Sequence, residues 1–534
     1  MAAASSKKEN KKQKPQIPSA VALASPLSAF KFPFAIAIAI LLVSLLPRVH
    51  SNSVVMYSFW GAAALLLAWQ GYLAFLSQRT GEIHNFKVVL RPQHYIQAML
   101  QVCVYSYWGY YCRPVYDHFW LIVVQLLFAY GFDMLLSWSR RREYSLGFGP
   151  FPIILSINLF LWFRDDWFYM QFLMIMVGFM GKEYVRWQRE GRSTHIFNPS
   201  AFALGLFSLV LILTNTTGLT WGQEIASTLT LAPNIYTFLF LIGLVVMYFF
   251  SITLVAGMSA ITLFALSALY SASTGVPYFL DSEIPAAVFL GLHLLITDPS
   301  TSPRTPLGKT LFGVLYAFGV FALYTLLDNL GSPTFYDKLL CVPLLNLSVI
   351  AIDRAVRSIK SESILNVWRK DWLGGKANLA HMAVWIFVFG VMTLAGKTDG
   401  RHIGDSLPFW EQACAENLPN ACGRVLLLES TYCGDNAAWA CNELGRHYRQ
   451  GDIVDVDEEL SFSYFARGCE LKFQSSCLNM LDTSLALTDT PLELDMRLML
   501  REGGLNLMQL SAADLNARAC EHGWEFACES RSNL

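Results

Sequence analysis

The segment HLLITDPSTSPRTPLGK, residues 293–309, separates two apolar runs of the chain. Residues 297–309 are mostly polar and contain three prolines, whereas the flanking residues are almost entirely apolar. Proline has no amide donor, and it disfavours the helical conformation in the residue before it. The segment therefore predicts a break between two helices, which is either a simple capped loop or a polar site held between them.

Apolar runs recur along most of the chain, which is 54% hydrophobic and 15% charged with a mean hydropathy of +0.40. Runs that cross or nearly cross a hydrocarbon core of about 30 Å lie near 32–46, 54–76, 96–112, 118–138, 150–163, 167–185, 197–213, 235–254, 256–273, 284–297, 308–328, 338–352 and 378–395. The fifth, tenth and twelfth of these runs are short. We predict an all-α, polytopic membrane helix bundle of about thirteen spans. The net charge of −1 indicates no nucleic-acid partner.

Basic residues cluster in alternate loops between these runs and in the N-terminal tail, SSKKENKKQKPQ. The loop clusters contain Arg79, Lys87, Arg91, Arg140, Arg141, Arg142, Arg186, Arg189, Arg192, Arg304, Lys309, Arg354, Arg357, Lys360, Arg369, Lys370 and Lys376. The positive-inside rule predicts that these loops and the N-terminus are cytoplasmic. An odd number of spans then places the C-terminal region outside a bacterial cytoplasmic membrane. A signal peptide with residues 34–46 as its apolar core is disfavoured, because PRVHSNS is a poor cleavage site.

The C-terminal region carries eight of the eleven cysteines in four C-x7-C pairs: Cys414/Cys422, Cys433/Cys441, Cys469/Cys477 and Cys520/Cys528. Residues eight apart on one straight helix are separated by about 12 Å, whereas a disulfide needs Cα atoms within about 7 Å. The chain must therefore turn back inside each pair, which predicts helix hairpins joined by disulfides. The segment ELKFQSS, inside the third pair, has no glycine or proline to form that turn. Zinc binding is disfavoured because zinc sites use shorter spacings.

The step from Cys433 to Cys469 is 36 residues, which is a period typical of helical repeats. The sequence between them contains Leu444-Gly445, Tyr448, Gly451 and Phe465-Ala466, and it resembles Sel1-like repeats of the cysteine-rich secreted subclass. That resemblance implies binding of a protein partner and no chemistry. Disulfides require an oxidising compartment, which agrees with the side that the charge pattern predicts.

Two polar interruptions fall on the predicted cytoplasmic side: GRSTHIFNPSAFAL at 191–204 and the segment at 293–309. Each places an amide or carboxylate residue directly before a proline at a helix end. One interpretation is simple capping, with Asp298 or Ser300 as the N-cap of the next helix. In the other, broken helices line a site at membrane depth, and their N-terminal amides face an anion such as a phosphate or an isoalloxazine carbonyl. The sequence contains no P-loop, HExxH, GxSxG or CxxCH motif.

The segments HIFNPSAFAL and HLLITDPSTSPRTPLGKTLFGVLYA resemble the NqrB/RnfD family of membrane flavoprotein subunits. RPQHYIQAML at 91–100 and VPLLNLSVIAIDR at 342–354 are similar to the start and end of the same core, and GSPTFYDKLLCVPLLNLS resembles a divergent branch that includes the UnbU-type proteins. The resemblance implies a ten-helix core that binds FMN or riboflavin. It also implies that the core transfers electrons together with other membrane electron-transport subunits and is coupled to ion movement.

The resemblance implies a cofactor or ion site that includes residues of both interruptions. The candidate residues are Asn198, Pro199, Asp298, Pro299, Ser300, Thr301, Ser302 and Pro303. Lys309 and Arg304 are candidates to neutralise a phosphate, and Asp298 is a candidate to bond a flavin edge or a cation. His94, His195 and His293, which lie in or beside apolar runs, form a second tier.

Classical members of the family attach FMN through its phosphate to a threonine on the extracytoplasmic side. The corresponding stretch here is Ser227-Thr228-Leu229-Thr230, which keeps the serine and the threonine but not the small residues between them. Thr230 is the candidate attachment residue, and SASTG at 271–275 is an alternative. This departure puts covalent attachment of flavin in doubt, but not the fold.

The predicted organisation has five parts. They are a basic cytoplasmic tail (1–30), extra transmembrane helices (31–87), the NqrB/RnfD-like core (88–358), a cytoplasmic linker with the last transmembrane helix (359–398) and the extracytoplasmic repeat region (399–534). Two rival functions remain open. In the first, the chain is a transporter or efflux component that has lost the flavin. In the second, the chain is a membrane anchor for the repeat region.

Overall fold

The computed structural model describes residues 28–189, 191–280, 282–359, 376–400, 402–434 and 436–481. Most of these residues are helical. The helices are α1 Lys31–Val43, α2 Pro47–His50, α3 Ser53–Thr80, α4 Pro92–Tyr111, α5 Pro114–Asp117, α6 Phe119–Arg140, α7 Pro150–Asn158, α8 Tyr169–Tyr184, α9 Pro199–Leu213, α10 Gly222–Thr228, α11 Ile235–Phe250, α12 Thr253–Thr274, α13 Ala286–Leu294, α14 Pro306–Asn329, α15 Asp337–Arg357, α16 Ala377–Leu394, α17 Leu407–Ala415, α18 Ala421–Gly434, α19 Ala438–Gln450, α20 Glu458–Glu470 and α21 Gln474–Leu481. The prediction of an all-α fold is confirmed.

Among the described residues, six helical segments are long and apolar enough to cross a membrane: Ser53–Thr80, Pro114–Arg140, Thr253–Thr274, Pro306–Asn329, Thr334–Arg357 and Ala377–Leu394. A seventh is possible by length and composition if Gly222–Leu231 and Ile235–Phe250, which are bent by 101°, form one broken span. Each of the thirteen apolar runs coincides with a helix. The run at 338–352 was predicted to be short, but it belongs to a 24-residue span candidate. The count of thirteen crossings stays a prediction.

Helices α7 and α13 have nine residues each, which gives a rise of only about 14 Å. A buried network of side-chain amides provides hydrogen-bond partners around the segment that follows α7. Asn158 Nδ2 donates to Gln125 Oε1 at 2.7 Å, and Gln171 Oε1 accepts from the amide of Phe163 at 3.2 Å. Trp162 Nε1 donates to the carbonyl of Asn158. Backbone that leaves a helix at membrane depth needs such partners, because lipid offers none.

Two small sheets were not predicted. Strand β1 (Asn85–Val88) pairs in parallel with β2 (Glu143–Leu146), and β3 (Arg186–Arg189) pairs antiparallel with β4 (Arg192–His195). All four strands lie in loops that the charge pattern predicts on one side. The β1–β2 pair joins two of these loops, whereas β3 and β4 form a hairpin within one loop.

Ion pairs divide the loops into two sets at opposite ends of the bundle. The pairs at the first end, called here the basic end, include Lys87–Glu143, Arg142–Glu82, Arg189–Asp353 and His195–Asp298. The pairs at the second end, called the domain end, are Arg48–Asp165, Arg164–Glu224, Lys397–Glu283 and Arg424–Asp328. Helix α14 has 24 residues and separates the two ends by about 36 Å. Every pair joins loops that the charge pattern predicts on the same side, while the orientation of the two ends in a membrane stays a prediction.

The described C-terminal residues have a hydrophobic core of their own, formed mainly by residues between Leu407 and Leu444. This C-terminal unit, called here the repeat domain after its predicted repeats, packs against Val276 of the membrane bundle. Two polar contacts also join it to the domain end. Asp399 accepts hydrogen bonds from the amides of Tyr236 and Thr237 at 2.8 Å each, which caps the start of α11. Arg424 lies 3.3 Å from Asp328 at the end of α14.

Three predicted disulfides are confirmed: Cys414–Cys422, Cys433–Cys441 and Cys469–Cys477, with Cα–Cα distances of 4.6, 4.8 and 4.6 Å. In each pair the chain turns back through residues with positive φ. These are Asn417 and Asn420, Asn436, and Lys472. Lys472 explains how ELKFQSS closes without glycine or proline, since a single non-glycine residue adopts the left-handed conformation. Cys520 and Cys528 lie outside the described residues.

Removing one of these disulfides is expected to lower the free energy of unfolding by about 2–3 kcal/mol, because the cross-link restricts the unfolded chain. The variant is C433A/C441A, and thermal denaturation of the full chain is the measurement. The control is C103A, which replaces an exposed free cysteine and should change stability by less than about 0.5 kcal/mol. Equal shifts for the two variants would contradict the prediction.

The repeat domain contains a partly buried charge cluster around His447. Its Nε2 lies 3.4 Å from Glu429 and its Nδ1 lies 2.9 Å from Asp452. Burial alone would lower the pKa of this imidazole, but the hydrogen bonds and charges of Glu429 and Asp452 raise the pKa of His447 to about 9. Protonated His447 therefore links helices α18 and α19 to the loop that follows them.

Stability of the repeat domain is expected to fall at alkaline pH. Because the folded-state pKa of His447 lies above its ordinary value of 6.5, the stabilisation is complete below about pH 6.5 and is lost as the pH rises through about 9. The loss should be on the order of 2 kcal/mol. The measurement compares the melting temperatures of the full chain and of His447→Gln at about pH 6 and about pH 9. The same pH dependence in both proteins would exclude the His447 cluster as its cause.

Candidate functional site

The first polar interruption forms the start of α9. Asn198 is the N-cap residue, and its Oδ1 accepts from the amides of Ser200 at 3.1 Å and Ala201 at 3.4 Å. Pro199 is buried at the first helical position, where proline is favoured because no amide donor is needed there. This local arrangement agrees with the capping interpretation of the sequence.

The second interruption forms a compact turn before α14. Asp298 Oδ1 accepts from the amide of Ser300 at 2.8 Å, and the carbonyl of Asp298 accepts from Ser302 Oγ at 2.7 Å. Thr301 and Ser302 are each 1% exposed. The N-cap of α14 is Thr305, whose Oγ1 accepts from the amide of Gly308 at 3.1 Å. The expectation that Asp298 or Ser300 caps this helix is therefore wrong, because Pro306 sets the helix start one residue after Thr305.

The two interruptions meet at a junction with α15. Asn198 Nδ2 donates to the carbonyl of Leu295 at 3.0 Å, just before the turn. Asn346 Oδ1 accepts from the amide of Asn198 at 3.1 Å, and Asn346 Nδ2 donates to the carbonyl of Thr301 at 3.3 Å. Two asparagines thus join α9, the turn and α15. We call this arrangement the junction.

A buried ion pair fixes the outer side of the turn. Arg189, at the end of β3, lies 2.6 Å from Asp353 on α15, and the two side chains are 5% and 7% exposed. Arg189 also donates to the carbonyl of Ser302 at 3.0 Å. Sequence reasoning did not single out Arg189, Asn346 or Asp353. A signal was present, because Asn346 and Asp353 are seven residues apart and share one face of a helix.

His195 and Asp298 form the partly exposed part of the site. His195 Nε2 lies 3.5 Å from Asp298 Oδ2, and the side chains are 21% and 22% exposed. Burial raises the pKa of this carboxyl, but the neighbouring imidazole of His195 and the amide of Ser300 together lower it by more. The pKa of Asp298 therefore lies below its ordinary value. Asp298 is therefore an anionic acceptor beside an imidazole, at a helix break.

The β3–β4 hairpin brings several buried polar atoms without a hydrogen-bond partner to the same place. They are Trp187 Nε1, Arg189 Nε, Thr194 Oγ1 and His195 Nε2. Buried polar atoms without partners are costly, so these four atoms are candidates to bond a polar ligand. Among them only His195 was identified from the sequence.

Other candidates lie away from the junction. Lys309 Nζ donates to the carbonyl of Ser251 at 2.7 Å, which caps the end of α11. His293 is 1% exposed within α13, and its Nδ1 lies 2.8 Å from the carbonyl of Phe289. Thr230 lies at the domain end, where its Oγ1 donates to the carbonyl of Ser227 at 2.7 Å.

The remaining candidates flank the turn. Pro299, Ser300 and Arg304 are exposed, whereas Pro303 is buried against Gly308. The junction thus has a buried frame and an exposed outer face. Within the described ranges, no group of three His, Cys, Asp or Glu side chains is arranged to hold a metal ion. Protein-family models, curated proteins and solved structures contain no match to this chain.

Proposed function

We propose that the chain is a membrane-embedded electron-transport subunit of the NqrB/RnfD type, which binds FMN or riboflavin and couples electron transfer to ion movement. The junction is the observation that supports this proposal most directly. Segments almost a hundred residues apart, FNP and TDP, are held together through Asn198, Asn346 and the turn. In this proposal the membrane is bacterial and cytoplasmic, and the basic end faces the cytoplasm.

In this proposal the residues around the turn have separate roles. The unpartnered donors of Trp187 and Thr194 would bond the acceptors of the flavin ring, and the His195–Asp298 pair would hold a proton at the ring edge. Exposed Arg304 would neutralise a phosphate if the flavin is FMN. A bound flavin supplies one- and two-electron chemistry. The buried Arg189–Asp353 pair keeps the turn in place, so the positions of these groups do not depend on the ligand.

Other membrane subunits of an electron-transport complex are the proposed redox partners. The repeat domain, on the extracytoplasmic side in this proposal, would bind a further protein. The contacts of Asp399 and Arg424 with the bundle would hold that partner beside the membrane.

Flavin content tests the proposal. The full chain, purified in detergent, should absorb visible light as a flavoprotein does and release flavin on denaturation. His195→Gln together with Thr194→Val should reduce the flavin content, whereas Thr220→Val, at the domain end, should not. A colourless protein that releases no flavin would exclude the proposal.

Covalent attachment is tested separately by the mass of the peptide that spans residues 221–235. An unmodified mass excludes attachment at Thr228 and Thr230. Loss of the added mass in Thr230→Ala would identify the attachment residue.

A second candidate function is transport without flavin. Two cations that could neutralise a phosphate already have protein partners, because Arg189 pairs with Asp353 and Lys309 donates to the carbonyl of Ser251. The bent helix pair Gly222–Leu231 and Ile235–Phe250 resembles the broken helices that form transport sites. Flavin content distinguishes the two candidates.

A further inference from the structure

Strand β1 carries exposed apolar side chains at the basic end of the bundle. Phe86, Val88 and Leu90, called here the apolar row, alternate with their neighbours in an extended segment and therefore lie on one face of it. Their exposed fractions are 44%, 64% and 61%. The opposite face includes Lys87, which lies beside Ser145 of β2, and both of these residues are exposed. Exposed apolar side chains grouped in this way mark an interaction surface.

The apolar row continues the exposed apolar stripes of two neighbouring helices. These stripes are Phe34, Ile38 and Leu42 on α1, and Tyr95, Met99 and Val102 on α4. Their spacing of three or four residues places each set on one side of its helix. The ring of Phe32, at the start of α1, lies 6.1 Å from the ring of Phe86. Apolar helix faces that are exposed on a membrane bundle contact lipid, so the apolar row belongs to the same surface.

The helix that precedes β1 indicates the depth of the strand in a membrane. Helix α3 has 28 residues, which gives a rise of about 42 Å. The hydrocarbon core of a bilayer is only about 30 Å thick, so α3 extends into the headgroup layers. β1 begins at Asn85, shortly after α3 ends at Thr80. The strand therefore lies near the boundary between acyl chains and headgroups.

The open edge of β1 excludes a deeper position. The amides of Asn85 and Val89 donate to carbonyls of the paired segment at 2.9 and 2.8 Å. Because successive amides of a strand point to opposite sides, those of Phe86 and Val88 point away from β2. Lipid tails offer no partner for such amides, and open sheet edges do not occur within the hydrocarbon region. Water and lipid headgroups do offer partners, which places the strand at the level of the headgroups.

Two arginines flank the apolar row along the chain. Arg79 lies in the last turn of α3, where its guanidinium is 4.3 Å from the centre of the Phe75 ring, and Arg91 directly precedes α4. Both arginines are exposed. Long basic side chains at a membrane boundary pack their stems on apolar groups and extend the charge to the lipid phosphates. The position of these arginines therefore agrees with the depth that the open edge indicates.

We propose that β1 is an interfacial membrane anchor whose partner is the phospholipid surface. The apolar row enters the boundary between headgroups and acyl chains, Arg79 and Arg91 bind lipid phosphates, and the face that carries Lys87 and Ser145 is in water. The anchor fixes the height of the loop between α3 and α4 relative to the bilayer. It requires no flavin and therefore goes beyond the proposed function.

A fluorescent label at position 88 tests the anchor in the full chain, reconstituted into nanodiscs of phosphatidylcholine and phosphatidylglycerol. Val88→Cys is combined with Cys103→Ala, since Cys103 is an exposed free cysteine, and is labelled with an environment-sensitive fluorophore. Lipids brominated near the headgroup end of their acyl chains should quench most of the emission, whereas aqueous iodide should quench little of it. Ser145→Cys, in the same background, is the matched control because it lies on the opposite face of the same sheet. Its label should show the reverse pattern.

Two results would overturn the proposal. Quenching of the Val88→Cys label by iodide as strong as that of the Ser145→Cys label would place the apolar row in water. Protection of the Val88→Cys label from both quenchers would show that another protein surface, such as a second copy of the chain, covers the row. Both positions are exposed, so neither substitution should disturb folding. Neither result depends on flavin content, so a failure of the anchor is distinguishable from a failure of the proposed function.

Discussion

Replacing Arg189 with methionine is expected to lower the free energy of unfolding by about 3–5 kcal/mol. The methionine keeps most of the apolar volume but removes the charge that lies 2.6 Å from Asp353, whose side chain is 7% exposed. Asp353 would then be a buried charge without a counter-ion. The carbonyl of Ser302 would also lose its donor. Thermal denaturation of the full chain in detergent measures the change.

The control is Lys87→Met, because Lys87 and Glu143 form an ion pair at the same end with side chains 56% and 57% exposed. An exposed pair contributes only about 0–1 kcal/mol. The double variant R189M/D353N should recover part of the loss, since it leaves no uncompensated charge. A destabilisation by Arg189→Met no larger than that by Lys87→Met would show that the pair does not hold the turn.

Replacing Asn198 with alanine is expected to destabilise the chain by about 2–4 kcal/mol. The variant removes the N-cap of α9 and also the donor to the carbonyl of Leu295. Both losses occur at the junction, so the turn should separate from α9. The melting temperature of the full chain measures the effect, and flavin content, if flavin is bound, should fall with it.

Asn198→Ser separates the two contributions, because serine is also a good N-cap but cannot reach the carbonyl of Leu295. Asn198→Ser should lower the free energy of unfolding by about 1–2 kcal/mol, which is the contribution of the lost hydrogen bond to Leu295 alone. Equal melting temperatures for Asn198→Ala and the wild type would mean that the interruption is only a loop. Equal losses for alanine and serine would assign the whole effect to the bond with Leu295.

The helices were predictable from the sequence because long apolar runs are a local signal. The four strands were not. RWQR and RSTH show no alternation of apolar and polar residues, and the alternation in NFKV and EYSL spans only four residues. Their pairing depends on which loops meet at the basic end, which is not local information. The helical cap at Thr305 was predictable in principle, because a threonine directly before proline is a helix-start pattern.

The site was predictable only where its residues belong to a local sequence pattern. Asn198 and Asp298 stand before prolines and can be found by inspection. Arg189 was counted only as one charge in a basic loop, and its buried partner is 164 residues away. Which carboxylate pairs with Arg189 depends on how the helices pack, and the sequence alone does not predict that packing. The orphaned donors of Trp187 and Thr194 likewise become visible only when the hairpin is placed beside the turn.

The spacing of the cysteines favours the native disulfides while the repeat domain folds. Each of the three described disulfides joins residues eight apart in the sequence. Closure of a loop of about ten residues takes on the order of 10–100 ns, whereas pairing with a cysteine of another hairpin requires a longer loop with a larger entropic cost. As the chain emerges, each cysteine therefore meets its own partner first. We expect oxidation to proceed hairpin by hairpin from the N-terminal side, with little need for reshuffling of mispaired disulfides.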